Sequence, residues 1–276
     1  MKSDRVIVPL SIILLISLLY FRTFTWLIES WTNDPYYSHG FLVPLISGYV
    51  IYKKQATIGE VGREPSNIGL LFLIPGLLMH GIGQFWTIKF LSGFSLIIVI
   101  IGLILLIYGS EIMKTVLFPV LFLAFMVPIP PSFMFSFELQ TFSSIFATHL
   151  VNLFGIAAIN AGSEIHLESC SFVVGAPCSG LRSIISLLSL ATIYAYILEG
   201  NIHARVFVVL SAIPIAIFAN ILRISSILVV ADIYGSDAAM SFFHNFSGLL
   251  SFGLSLLMLL AVGRWFGRLK IREELF

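Results

Sequence analysis

Apolar residues in this chain come in long blocks interrupted by short polar or proline-containing stretches, not in the alternation of half-buried strands. Blocks long enough to cross a bilayer, ended at charges and turn residues, place helices at about 6–21, 40–52, 67–85, 90–108, 115–130, 180–198, 206–233 and 248–266. The fifth runs into Pro128-Ile-Pro-Pro131, where residues without an N–H stop it. The second is short for a crossing and the seventh long, a mismatch that tilt or a polar flank absorbs. Lys2 and Arg5 precede the first block as in a signal peptide, but no small-x-small cleavage site follows before Trp26 and Trp31, so that helix is expected to be retained.

The longest stretch outside the spans is 131–177. Its mixed segment 133–154 reads as an amphipathic interfacial helix or a re-entrant hairpin. The run Gly162–Val174 alternates like a short strand pair, an ordered cap. The pattern predicts an all-α, polytopic membrane bundle of about eight helices, forming one integral-membrane domain over 1–276.

Composition narrows the class further. Among 276 residues, 58% are hydrophobic and 11% charged, with a mean hydropathy of +1.02, which excludes an ordinary soluble domain. A formal charge of +1 leaves no basic surplus for a nucleic-acid partner. Sorted by loop, Lys2, Arg5, Lys53, Lys54, Arg63, Lys114, Arg205, Arg264, Arg268, Lys270 and Arg272 share the side of the termini, eleven of the fifteen basic residues. The other side keeps Arg22 and Lys89. Both termini are therefore expected in the cytoplasm and 131–177 outside.

Arg182 and Arg223 fall within predicted spans, where a charge costs about 2.5–3.5 kcal/mol on insertion scales and no Asp or Glu lies deep enough to neutralise it. One reading is that each snorkels to lipid phosphate or satisfies backbone carbonyls. Depth supports another. Arg223 lies seventeen residues beyond Val206, about 26 Å along a core of about 30 Å, and so approaches the outer surface. Cys178 opens the sixth helix at that level and His244 precedes the eighth. A thiol, a guanidinium and an imidazole from three segments thus share one level.

Pro177 suits a first helical position, placing Cys178 in the first turn, where free N–H groups and positive potential favour thiolate. Arg182, four residues on, then shares its face. A disulfide between Cys170 and Cys178 is the competing structural reading. Asn220 shares the face of Arg223 and either orients it or bonds a neighbouring helix. His39 stands at the outer end of the second span among aromatics that favour the headgroup zone, and His80 reads as a packing or hydrogen-bonding residue. His149 and His166 lack metal-ligand spacing with the cysteines; no metal or cofactor is expected.

These residues resemble the exosortase/archaeosortase membrane transpeptidases. The resemblance rests on Asp34-Pro-Tyr-Tyr-Ser-His-Gly-Phe-Leu-Val-Pro-Leu-Ile46, Ala176-Pro-Cys-Ser-Gly-Leu-Arg182, Phe218-Ala-Asn-Ile-Leu-Arg-Ile224 and His244, in order along nearly the whole chain. The histidine in third place is similar to the bacterial branch; archaeal enzymes carry Arg there. Some exosortases bear a further periplasmic domain, whereas this chain ends soon after the eighth span. The resemblance implies an integral-membrane cysteine protease and transpeptidase acting on exported proteins with a C-terminal sorting signal: a Pro-Glu-Pro-like motif, a transmembrane helix and a basic tail. It implies Cys178 as nucleophile, Arg223 as stabiliser of the scissile oxyanion and His244 as general acid/base. It leaves the supporting residues Arg182, Asn220 and His39 without a settled role and the acceptor open between water, a lipid and another amine. From another class, a small transporter or a lipid-binding component of a polysaccharide-export system would use the arginines for an anionic ligand, although a transporter site belongs nearer the midplane.

Overall fold

The computed structural model describes residues 4–130, 136–168, 170–175, 180–199, 201–242 and 246–266. The chain separates into two compact units, Met1–Ile129 and Pro130–Glu274.

In the first unit, α1 (Asp4–Leu19) meets α2 (Phe21–Asn33) at a bend of 71°. The sequence pattern had left 22–39 between spans. It contains a helix because Thr23, Leu27 and Trp31, four residues apart, form one buried stripe. A 3-10 turn (Ser38–Phe41) leads into α3 (Leu42–Lys53) and α4 (Gln55–Glu60). Then come α5 (Leu70–Phe85), entered by a 3-10 turn from Asn67, α6 (Lys89–Tyr108) and α7 (Ser110–Phe122), which ends in a 3-10 turn through Met126.

α5 and α6 pack closely because small residues face each other. A Cβ on Gly69 would overlap the Gly102 carbonyl, and one on Gly102 the Leu73 backbone. Several hydroxyls buried in this unit satisfy one another: Tyr20 with Ser95 at 3.0 Å, Thr23 with Ser92 at 2.7 Å, and His80 Nδ1 with Ser92 at 2.8 Å, beneath a Tyr20–His80 ring contact. His80 thus has the packing and hydrogen-bonding part its position indicated.

In the second unit, α8 (Ser136–Leu153) occupies the mixed segment, followed by an antiparallel meander of β1 (Ala158–Ala161), β2 (Glu164–Leu167) and β3 (Ser171–Val173). Ile159 faces His166, and Ile165 faces Phe172. The expected strand pair thus gains a third strand. Then follow α9 (Leu181–Ile197), α10 (Ile202–Tyr234), α11 (Ser236–Phe242) and α12 (Gly248–Phe266).

Two apolar cores share α10. In one, Val208, Ala212, Ile215 and Ala216 pack with Leu187, Ala191 and Ala195 of α9 and Leu259 of α12. In the other, Ile224, Ile227, Leu228 and Ala231 pack with Ala147 and Val151 of α8, Ile165 and Leu167 of β2, and Ala239 of α11.

The described fold is predominantly helical, with this small sheet as its one β element. Four helical segments are long and apolar enough to cross a membrane: Asn67–Phe85, Lys89–Tyr108, Ile202–Tyr234 and Gly248–Trp265. The bent α1–α2 pair makes a fifth if it counts as one span. α9 is apolar but shorter, and α3 has 12 residues, about 18 Å of helix against a core of about 30 Å.

Candidate functional site

Between its two cores, α10 carries Asn220 and Arg223, one turn apart on one face. Neither belongs to an apolar cluster. Asn220 is fully buried, and its Nδ2 donates to Ser143 Oγ on α8 at 3.2 Å. Arg223 is half-buried, and its Nε donates at 3.1 Å to Ser247 Oγ, itself buried just before α12. Ser251 on α12 donates to the Ala219 carbonyl at 3.3 Å, tying the start of α12 to the same turn of α10. Polar groups from α8, α10 and α12 thus meet where apolar packing changes partners, and each hydrogen bond offsets the burial of its members.

Gly180 closes this cluster from a fourth direction. It caps α9 in the left-handed conformation, φ +79°, and a Cβ there would stand 3.1 Å from Cβ and Cγ of Asn220. Only glycine meets both demands without strain. A residue at positive φ also cannot continue a right-handed helix backwards, so α9 begins at Leu181. This agrees with the expected start at about 180; the expected place of Cys178 in a first helical turn lies outside the described residues. Arg182, expected one turn deeper on the Cys178 face, is the second residue of α9 and is exposed.

Cys178 and His244 lie outside the described residues, as does any pairing of Cys170 with Cys178. The flanking chain is described on both sides. Before Cys178, the Val174 N–H donates to the Ser163 carbonyl at 2.8 Å, fastening the exit of β3 to the β1–β2 turn. After it comes Gly180 against Asn220. Before His244 is α11, whose Ala239 is fully buried, and after it is Ser247 against Arg223.

Farther along α10, an apolar cavity of about 130 Å³ is lined by Ile165, Phe172, Val174, Ile224, Leu228 and Met240 among others, and so lies between the sheet, α10 and α11. It has the size of one aliphatic side chain rather than a whole ligand.

His39 belongs to the first unit. Its corner, Asp34–Phe41, is folded on the end of the 3-10 turn after α7. Trp31 Nε1 donates to the Met126 carbonyl at 2.8 Å, and the Tyr37 hydroxyl accepts from the Ile129 N–H at 2.9 Å. A Cβ on Gly40 would overlap the Trp31 indole. The aromatic cluster expected as an interfacial anchor is thus a packed corner, with Tyr37 only 3% exposed. Burial pushes the Tyr37 hydroxyl pKa up to about 12. Burial also pushes the His39 imidazole below its ordinary value, against a smaller opposing pull from the Phe125 backbone, so the ring is neutral at pH 7.

Sequence reasoning singled out Asn220 and Arg223, which the fold brings into one cluster, but missed Ser143, Gly180 and Ser247, which hold them. Gly180 had a signal, since a glycine just before an apolar helical run marks a backbone position other residues avoid. The serines had none: they are two of many along the chain, and only their partners distinguish them.

Compared with known proteins, the chain matches the family described as transmembrane exosortase (Exosortase_EpsH) over residues 31–261. No curated protein and no solved structure matches it.

Proposed function

The chain belongs to the transmembrane exosortase family, and from that premise we propose that it is a cysteine protease/transpeptidase that removes Pro-Glu-Pro-type C-terminal sorting signals from exported membrane-anchored proteins. Cys178 is the nucleophile. Its thiolate attacks the scissile carbonyl carbon, the oxyanion that forms is met by the Nη edge of Arg223, and the tetrahedral adduct collapses with cleavage of the C–N bond as His244 gives its proton to the leaving amine. The product is a thioester on Cys178. A water or an amine acceptor, deprotonated by His244, then attacks that carbonyl and expels the thiolate, giving hydrolysis or transpeptidation.

The observation that carries this reading is the clamp on Arg223, held at its Nε edge by buried Ser247, one helical turn from Asn220, on which Gly180 packs. Chain continuity supports the rest. In the sequence Cys178 stands two residues before Gly180, which packs on Asn220, and His244 three residues before Ser247, which bonds Arg223.

The sheet supports an outward, watery level for the site. A three-stranded sheet with open edges is not stable against lipid hydrocarbon, where every backbone group must be paired within the protein. The part of α10 that it packs on therefore lies beyond the hydrocarbon, and Arg223 stands at that boundary. From Ile202 to Arg223 the helix rises about 32 Å, past a core of about 30 Å. If the termini are cytoplasmic and the chain crosses eight times, as the hydropathy and charge pattern of the sequence leads one to expect, this boundary is on the outer face of the inner membrane. The apolar cavity lined by Ile224 and Leu228 then receives one aliphatic side chain of the signal.

The test is release of a signal from a co-expressed membrane-anchored reporter. The wild-type protein should cleave it, whereas Cys178→Ala and Arg223→Ala, inserted at equal levels, should not. Equal cleavage by all three would dismiss the assignment.

A further inference from the structure

A second cavity lies wholly within the first unit, among α2, α5 and α6, with a volume of about 340 Å³, inside the range of about 300–1,000 Å³ of small-ligand sites. Its buried side is closed by hydroxyl and amide groups that satisfy one another. Thr23 and Ser92 share a hydrogen bond, and Gln84 Nε2 donates to them at 3.4 and 3.3 Å. Its open side is different in kind: Arg22, Glu29 and Lys89 line it, all exposed. Among the described residues, no hydrogen bond or ion pair engages these three head groups. Two cations and one anion around a single opening, with no pairing that closes it, form a recognition pattern for a ligand carrying both signs of charge.

Position identifies the source of such a ligand. α5 and α6 both belong to segments long and apolar enough to cross a membrane, and only residues 86–88 join them, so the cavity opens at a membrane surface. Phe85 and Trp86, 82% and 61% exposed, stand at that surface, as aromatic residues do in the headgroup zone. Thr87, which lines the cavity, has φ 56°, the one positive value outside glycine among the described residues. Such strain persists where surrounding structure enforces it. The turn allows α6 to restart at Lys89, whose helix N-terminus adds positive potential. On α5, Leu71, Ile74, Leu78 and Ile82 form an exposed apolar stripe at helical spacing that leads to this end, a path for an acyl chain.

We propose that this cavity binds the zwitterionic headgroup of a phospholipid in that leaflet, with Arg22 and Lys89 on the phosphate and Glu29 on a primary ammonium. The site is independent of the cysteine chemistry: it is contained in the other unit and uses none of its residues.

The experiment uses the full chain, delipidated in detergent and supplied with phosphatidylethanolamine, phosphatidylcholine or soluble phosphoethanolamine, with retention read by native mass spectrometry. The wild type should retain phosphatidylethanolamine about tenfold better than phosphatidylcholine, whose quaternary ammonium cannot donate to Glu29. Arg22→Gln with Lys89→Gln should lower retention of both lipids by about tenfold or more, Arg22→Lys should preserve it, and Glu29→Gln should erase the preference between lipids. Equal retention of phosphatidylethanolamine by the double variant and the wild type overturns the site. Soluble phosphoethanolamine binding as tightly as the lipid overturns the lipid as its occupant. If the double variant loses its melting transition, Glu29→Gln decides alone: an unchanged preference between lipids refutes the proposal.

Discussion

The two halves of α10 are built from the same kinds of residue, yet they solve different problems. Before Asn220, Val208, Ala212, Ile215 and Ala216 meet only other helices, whose backbone groups are paired internally and need no water. Beyond Arg223, Ile224, Ile227, Leu228 and Ala231 meet a sheet, α8 and a short helix, among them elements with open edges and turns that need water or polar partners. The polar cluster sits where one environment gives way to the other. On the function proposed above, that junction would be within reach of a substrate still anchored in lipid and of an acceptor that arrives through water.

The strongest way to break this comparison is at the junction. Arg223→Lys keeps the charge but not the planar fork or the Nε bond to Ser247, and we expect at least about a hundredfold loss of reporter cleavage with insertion unchanged. Next are the two cores themselves. Ala212→Leu and Ala231→Leu each overpack a fully or almost fully buried site and should cost about 1–3 kcal/mol. The first should lower the melting temperature in detergent, while the second should also depress cleavage because it displaces the cap that borders Arg223. Equal loss of cleavage per degree of melting in both would erase the distinction between the halves.

Gly180→Ala comes third, at about 1–2 kcal/mol for the left-handed backbone, and should reduce cleavage more than its melting shift accounts for, since the methyl group presses on Asn220. The smallest effect belongs to the other unit. His39 is neutral when folded, with its pKa below the unfolded value, so its contribution is complete above about pH 6.5 and is lost as the pH falls toward the folded pKa. The melting temperature should therefore decline as the pH falls below that value, and His39→Gln should flatten the slope.

Much of the helical layout was readable because apolar blocks and helix ends coincide. The bounds at Asn67, Phe85 and Tyr108 fall where charges, turns or glycine interrupt the pattern. α10 starts earlier than its apolar block, at Ile202, because the Asn201 side chain accepts from the Ala204 N–H at 2.8 Å and carries the helix through His203 and Arg205. That cap was visible in the sequence. α2 was hidden because Arg22 and Glu29 interrupt its hydropathy, although Thr23, Leu27 and Trp31 keep the period. Of the site, Asn220 and Arg223 announced themselves by cost, as polar groups in an apolar helix. Ser143 and Ser247 did not, because a hydroxyl in a helix can always return to its own backbone, as Thr148 does to the Ser144 carbonyl and Ser255 to the Ser251 carbonyl.

The length of α10 has a consequence for where the protein can work. Its 33 residues make a rod of about 50 Å, and both cores grip the same rod, so the height of Arg223 above the bundle is a fixed number of helical turns. Such a rod acts as a gauge of the bilayer. In a thicker membrane the lipid would climb toward the cluster, and in a thinner one the cluster would stand clear, unless the whole bundle tilted to compensate. On the proposed function, substrate anchors whose own hydrophobic length matches that gauge would bring their cleavage motif to the right height without any further contact.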